Sequence, residues 1–360
     1  MRWCARPAGA HTGGVMLAGD RLCRDLREVL VPGAGVEETG AALSRVIAPV
    51  VPHDALRLMV MNPSLGVGAS ALGFWHGYGP DIGRELMRLG SRGAAFPQLA
   101  RLARQTGPVV ADRGLRTGWY DRLLARYGFG EELCLILRDS RGVWGLLGLK
   151  RAVGGRPFDA DDTHRITGIG PPLIAALRGY VTQGPVAPTG RRHELPPGML
   201  VVSAEGKVAA RTPQARNWQT VMAHQQAAPD WLIEYCFAAL SFEAREHARD
   251  PLRRYPRVCT PLIGYGQWAA FEAQPLGDNG DIAITIQRAT GTLLLPTFCD
   301  WHKITDRERQ VITYLQDGTA PKQIARLLGL SLHTVNDHLG AVFRKTGTCG
   351  RDELMAAITA

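Results

Sequence analysis

Side chains able to hydrogen-bond a ligand in a regular pattern are concentrated near the C-terminus, between Lys322 and Lys345. At 3.6 residues per turn, a helix through this stretch gathers His333, Asn336, Asp337, Gly340, Ala341 and Arg344 on one face. The chemistry on offer is hydrogen bonding to a polyanion with readable edges. An amide such as Asn336 can donate and accept at once against adenine, and a carboxylate such as Asp337 can accept from cytosine or hold His333 one turn earlier. Thr334, His338 and Lys345 fall on the flanks of the same helix, within reach of phosphates, and Arg344 lies on the face itself. Lys322 and Ser331 complete the candidate contact set. Covalent chemistry has no comparable signature: there are no paired carboxylates in one motif, no GxSxG, no P-loop and no HExxH.

Such a face must be positioned, and the flanking sequence predicts how. Thr305 and Glu308 fit a capping box at the start of one helix, whose apolar stripe is Val311, Ile312 and Leu315. Asp317-Gly318 stops that helix. Pro321 opens a second, where its missing N–H costs little, and Ile324, Ala325, Leu327 and Leu328 pack it. Gly329 supplies a sharp turn and Ser331 caps a third helix, which buries Val335, Leu339, Val342 and Phe343. Helix, short helix, glycine turn and longer helix is the order that places side chains in the major groove of double-stranded DNA.

The segments Ile304-Thr-Asp-Arg-Glu-Arg-Gln-Val, Gln323-Ile-Ala-Arg-Leu-Leu-Gly-Leu-Ser and His333-Thr-Val-Asn-Asp-His-Leu together resemble the LuxR-type helix-turn-helix. The resemblance implies a DNA-binding domain over residues 302–360 in a transcriptional regulator of the actinobacterial type that carries a GAF domain in front. It implies that the third helix reads DNA and that a fourth, about Arg351 to Ile358, mediates dimerisation. Two positions depart from the family pattern: Asn336 where a basic or long polar residue is common, and Gly340 where lysine is common. They favour modest affinity unless the protein is a homodimer. They also keep open an alternative, a protein-interaction regulator whose helix-turn-helix no longer binds DNA.

The remaining residues predict two α+β units in a multidomain chain. Residues 1–19 read as a disordered lead. Residues 20–182 alternate helical and β-like patterns and close with two strands, Glu132 to Arg138 and Val143 to Arg151, joined by a tight Asp139-Ser-Arg-Gly142 turn. An acidic helix entry at Phe158-Asp-Ala-Asp-Asp162 then leads to a helix running to about Tyr180. Val143-Trp-Gly-Leu-Leu-Gly-Leu-Lys-Arg with that helix entry is similar to the last strand and final helix of a GAF domain. This resemblance implies a sensor that binds a small-molecule effector, for which Phe74, Trp75, His76, Tyr78, Trp119, Tyr120 and Cys134 are candidate lining residues; ordinary core packing is the competing reading. Residues 183–195, rich in Pro and Gly, read as a linker. Residues 196–290 read as a second α+β block whose start resembles a PAS-like module, and 291–301 as a connector.

The bulk properties set bounds. The 360 residues carry a net charge of +9 and 45% apolar residues. Residues 301–360 contribute eight basic against six acidic side chains, a balance of only +2, so charge alone does not single out the tail. Seven scattered cysteines without a CxxC pair fit neither a disulfide framework nor a zinc site. No run approaches the roughly 20 apolar residues of a membrane span, and a cytoplasmic location is expected. The sequence names no cofactor.

Overall fold

The computed structural model describes residues 12–64, 72–83, 85, 109–110, 118–184, 186, 195–226, 230–262 and 267–359. Most of the helices expected near 81–89 and 97–105, and most of the linker, lie outside the described residues. The first α+β domain contains α1 (Thr12–Val29), α2 (Val36–Ile47), β1 (Ala55–Val60), β2 (Leu72–His76), β3 (Val109–Val110), α3 (Gly118–Arg126), β4 (Phe129–Asp139), β5 (Gly142–Ala152), α4 (Ala160–Thr167) and α5 (Gly170–Val181). Its sheet has the order β2-β1-β5-β4-β3, antiparallel throughout. The predicted hairpin is present: Asp139 pairs with Gly142, whose φ of 135° suits glycine, and Asp139 accepts from the Arg141 N–H at 2.8 Å.

Strand periodicity divides this sheet into two faces. Leu56, Leu58, Phe74, Leu133, Leu135, Leu147 and Leu149 belong to the large core shared with the buried residues of α1, α2 and α5; Phe74 meets Tyr180 of α5 edge to face at 5.7 Å. The opposite face carries Arg57, Met59, Trp75, Glu132, Cys134, Ile136, Leu146 and Lys150.

The second α+β domain has β6 (Gly198–Val202), β7 (Val208–Arg211), α6 (Pro213–Gln226), α7 (Asp230–Arg249), β8 (Arg257–Leu262), β9 (Gln267–Leu276) and β10 (Asp281–Arg288). Its antiparallel sheet runs β7-β6-β10-β9-β8. Ile282, Ile284 and Ile286 alternate with half-buried residues and face the core. The tail is all helical: α8 (Gly291–Trp301), α9 (Asp306–Gln316), α10 (Pro321–Leu328), α11 (Leu332–Thr346) and α12 (Arg351–Thr359).

Three expectations are corrected. Within the lead expected to be disordered over residues 1–19, residues 12–19 are helix and residues 1–11 lie outside the described residues; α1 is anchored by buried Leu26, and an existing helix extends upstream more easily than one starts. The helix expected to run unbroken to Tyr180 is two helices. Pro171 and Pro172 lack the N–H groups a continuous helix needs there, so the chain stops at Gly168 and restarts with proline in the first turn of α5. The connector 291–301 is helix α8. Pro296 removes one of its backbone hydrogen bonds, but Leu294, Leu295, Phe298 and Trp301 give it a buried face that holds it in place.

α8 joins the domains. Trp301 packs edge to face on Trp144 of β5 at 5.0 Å, and both are almost completely buried. Arg141, at the hairpin tip, donates to the carbonyls of Ile304 (2.8 Å) and Cys299 (3.4 Å), and lies 3.6 Å from Asp300. Asp300 also accepts from the backbone N–H (3.1 Å) and hydroxyl of Ser64. One apolar cluster therefore runs from Leu26 of α1 to Ile358 of α12.

His302, just past α8, is buried against Phe298 with ring centroids 4.3 Å apart, and its Nδ1 is 3.4 Å from the Lys345 carbonyl. Burial pushes its pKa down to about 4, against a smaller upward pull from that carbonyl. The unfolded chain therefore takes up this proton first. Stability from the neutral ring is complete above pH ~6.5 and is lost as pH falls toward ~4. We expect wild type to lose about 2–3 kcal/mol more than His302→Leu between pH ~7.5 and ~4.5. Denaturant titrations of both proteins at the two pH values check this; parallel losses would count against it.

Candidate nucleic-acid interface

The capping box of α9 is formed. Thr305 accepts from the Glu308 N–H at 3.3 Å, and Glu308 Oε2 accepts from the Thr305 N–H at 2.7 Å. Gly318 (φ 79°) follows α9, Pro321 begins α10, and Gly329 (φ 64°) ends it in the left-handed conformation. Arg307 donates to the Leu328 carbonyl at 2.9 Å and ties α9 to the end of α10. Ser331 caps α11 by accepting from the Thr334 N–H at 3.0 Å, and its hydroxyl lies 2.9 Å from that of Thr334. Beneath, Val311, Leu315, Ile324, Ala325, Val335 and Leu339 form a small core of their own. The small side chain of Ala325 suits the close approach of α10 and α11.

This scaffold turns the predicted face outward. His333 and Asp337 have side-chain exposures of 88% and 65%, with Nε2 and Oδ2 3.5 Å apart. Asn336 and Arg344 are exposed, while Thr334, His338, Gly340 and Ala341 are half-buried. Lys322 is exposed on α10. No described segment covers the strip from His333 to Arg344.

Lys345 is placed differently from the flank position expected of it. Its Nζ donates to both oxygens of Glu308, at 2.8 and 2.6 Å. Burial works to raise the Glu308 carboxyl, but the Lys345 ammonium and the Thr305 N–H outweigh it, and the net shift is downward. Lys345 thus bolts α11 to the start of α9. Gln323 and Arg326, exposed on α10 beside Lys322, are polar groups the sequence reading passed over; their spacing along the short helix was the available signal. The fourth helix is present as expected. Leu354, Ala357 and Ile358 of α12 are buried in the chain's own core, and Arg351, Asp352 and Glu353 are left exposed on the helix that the resemblance links to dimerisation.

The ligand-lining candidates of the first domain are split by the sheet. Phe74 faces the helices. Trp75 lies on the other side and stacks on Trp231 of α7 at 4.7 Å. His76 ends β2 half-buried, and the side chain of Trp119 lies outside the described residues. Tyr78, Tyr120 and Cys134 do converge, around Glu132. Burial pushes the Cys134 thiol up to about 12, so it is an inert apolar wall and not a nucleophile. Sequence reading missed Arg57, Glu132 and Lys150; charged residues set inside otherwise apolar strands were the signal.

Residues 302–357 match the family of bacterial regulatory proteins, luxR family. The chain is 40% identical over 53 residues to a monoamine regulon transcriptional regulator of Klebsiella aerogenes, covering 15% of this chain and 23% of that protein. It is 30% identical over 106 residues to the transcriptional activator protein AhyR of Aeromonas hydrophila, covering 22% of this chain and 41% of that protein. The matches thus span less than half the length of either relative. Among solved structures, SdiA in complex with octanoyl-rac-glycerol gives a TM-score of 0.38 at 10% identity, covering 98% of this chain and 96% of that one. The GAF domain of a phosphoenolpyruvate-protein phosphotransferase from Coxiella burnetii gives 0.30 at 13% identity, covering 45% of this chain and 93% of that one.

Proposed function

We propose, on the premise that residues 302–357 form a LuxR-family helix-turn-helix domain, that this chain is a DNA-binding transcriptional regulator in which the first domain senses a small molecule and alters how α11 is presented to promoter DNA. The observation that carries this is the open face of α11, with His333, Asn336, Asp337 and Arg344 exposed over a packed back of Val335, Leu339 and Val342. Asn336 sits where bidentate pairing with adenine is geometrically natural, and Arg344 and Lys322 supply charge to the backbone. The protein works without catalysis, in the cytoplasm, and as a homodimer on two half-sites about one helical turn apart.

Selection of binding sites from random duplex DNA with the full-length protein tests this reading. On the selected site, Asn336→Ala should weaken binding by about 1–3 kcal/mol, roughly 5- to 150-fold, and relax the preference at one base position. Gly340→Lys should act in the opposite direction. A Cβ at Gly340 meets only Arg344 Nη1, at 3.6 Å, so the side chain fits. It adds one phosphate contact, steepening the salt slope by about 0.9, and lysine in place of glycine stabilises the helix by a few tenths of a kcal/mol or more. The competing reading, an interaction module that has lost DNA binding, is favoured by the departures at Asn336 and Gly340. It would be upheld if no duplex were enriched and binding showed no salt dependence.

A further inference from the structure

Asp337 sits where a DNA-reading helix can least accommodate it. At about 100° per residue, His333, Asp337 and Arg344 stand opposite the buried Val335, Leu339 and Val342 of α11. The Asp337 side chain is 65% exposed at the centre of that face. Duplex DNA carries one negative charge per about 1.7 Å of its axis, so a lone carboxylate there is repelled. Arg344 offsets it only formally: one acid against one permanent cation leaves the face neutral. His333 decides the sign. Its side chain is 88% exposed, and its Nε2 lies 3.5 Å from Asp337 Oδ2 one turn on, an ion-pair distance once the ring carries a second proton.

The orientation of the ring sharpens this. A neutral imidazole has a single N–H. With Nε2 turned to the carboxylate, that N–H belongs on Nε2, and Nδ1 is left as an acceptor, which phosphate oxygens repel. Protonation turns Nδ1 into a second donor and gives the face one net positive charge. Both changes favour a polyanion. Exposed lysine, arginine and aspartate side chains keep their charge across the range in which imidazole titrates, which covers Lys322 and Arg326 on α10, Asp306 and Arg309 on α9, and Arg344 on α11. On α9, Glu308 is engaged by Lys345, and Arg307 by Gln310 and the Leu328 carbonyl. His302 is held neutral by burial, its pKa pushed down to about 4. Two further groups bear on the same range: His338, half-buried on the flank of α11, and Glu243 of α7 in the second domain, whose carboxyl burial raises to about 7.

We infer that Asp337 is a positioning residue for recognition: it orients His333 and holds its proton, so that α11 engages DNA in the imidazolium form and takes up a proton on binding wherever the free ring lacks one. Of the two roles open to this carboxylate, holding His333 and accepting from cytosine, the geometry favours the first. The inference deepens the DNA-binding reading proposed above and rests on it. Its sign follows from linkage. The protonated form binds better, so affinity is highest at low pH and falls as pH rises through the range in which imidazole loses its charge.

Binding of the full-length protein to the selected duplex, at constant ionic strength between pH ~6 and ~8, provides the test. Wild-type affinity should fall about fivefold or more over that range, with a ceiling of about tenfold per pH unit for one proton per recognition helix. Calorimetry in two buffers of different ionisation heat should show net proton uptake at pH ~7. Both side chains are exposed, so substitutions at them leave the core of the domain intact. His333→Gln should abolish the slope at low affinity. His333→Lys, permanently charged, should abolish it at an affinity near that of wild type at pH ~6. Asp337→Asn should flatten the slope and bind more tightly than wild type at pH ~8, whereas Asp337→Glu, which keeps a carboxylate one turn from His333, should retain it. His338→Gln should also retain it, and a contribution from Glu243 would be equal in all of these variants. Three results overturn the inference while leaving DNA binding in place: a flat wild-type profile; a slope that survives His333→Gln or vanishes in His338→Gln; or weaker binding by Asp337→Asn at pH ~8 with lost preference at one base position. Absence of binding to any duplex at pH ~6 overturns the DNA-binding reading itself, and the inference falls with it.

Discussion

Glu132→Gln should destabilise the full-length protein by about 3–5 kcal/mol, enough to unfold a marginally stable domain. The substitution preserves shape and removes the carboxylate that pairs with Arg57 and Lys150 in their buried cluster. It also turns one of two acceptor atoms into a donor, aimed at groups that are themselves donors. The titration of Glu132 provides an independent handle on the same effect. Burial alone would raise its pKa, but the charges of Arg57 and Lys150, with the Tyr120 and Lys150 hydrogen bonds, bring it down to about 2. Because the folded value lies below the unfolded one, the contribution is complete above pH ~4.5 and is lost as pH falls toward ~2, amounting to about 3 kcal/mol. The gap between wild type and variant in denaturant titrations should therefore be wide at pH ~7 and narrow at pH ~3. A gap that stays constant over this range would mean that the charge of Glu132 is not what stabilises the fold.

The two cations do not share the carboxylate equally. Burial lowers Lys150 more than Glu132 raises it, whereas Arg57, though burial pulls it down, ends well above its ordinary value because Glu132 acts there together with Tyr120, Cys134 and Tyr78. Guanidinium with two bonds to the carboxylate holds the stronger pairing, and lysine contributes one. Lys150→Met should accordingly be far milder than Glu132→Gln. The contrast between these two neighbours separates a charge effect from simple loss of packing.

What the sequence revealed and what it hid follow from interaction range. The cap at Thr305, the left-handed turn at Gly329, the cap at Ser331 and the hairpin at Asp139 to Gly142 are each made by residues within a few positions of one another, and all could be read directly. The outward face of α11 was legible because helical spacing repeats locally. The misses are long-range pairings. Lys345 meets a glutamate 37 residues away, and Arg57 one 75 residues away; neither separation leaves a periodic trace. α8 was hidden for a related reason: Pro296 is a local signal against a helix, and only burial of Leu294, Phe298 and Trp301 against distant strands overrides it. Phe74 and Trp75 look like a shared lining because they are adjacent aromatics, yet adjacency in a strand sends side chains to opposite faces.

Trp301→Ala should uncouple the tail from the body without unfolding the tail. Truncating a buried tryptophan costs about 3–5 kcal/mol, and here the loss falls on the contact with Trp144 and on the seating of α8. The helix-turn-helix keeps its own core of Val311, Leu315, Ile324, Val335 and Leu339, so it should survive. Calorimetry should resolve the single unfolding transition of the wild type into two. Proteolysis should nick the variant near Lys303, an exposed residue at φ 56° between α8 and α9. A ligand in the first domain can alter DNA binding only through a difference in free energy between states that both sites feel. With Trp301 gone, α8 keeps its apolar seat of Leu294, Leu295 and Phe298, but its described links to the hairpin of the first domain and to Ser64 are polar, Arg141 to the Ile304 carbonyl and Ser64 to Asp300, partly solvated and individually weak. A small molecule that stabilises the first domain should then leave affinity for the selected DNA unchanged. If ligand and DNA remain coupled to the same degree in Trp301→Ala, the signal does not travel through α8, and the Arg141 hairpin becomes the element to break next.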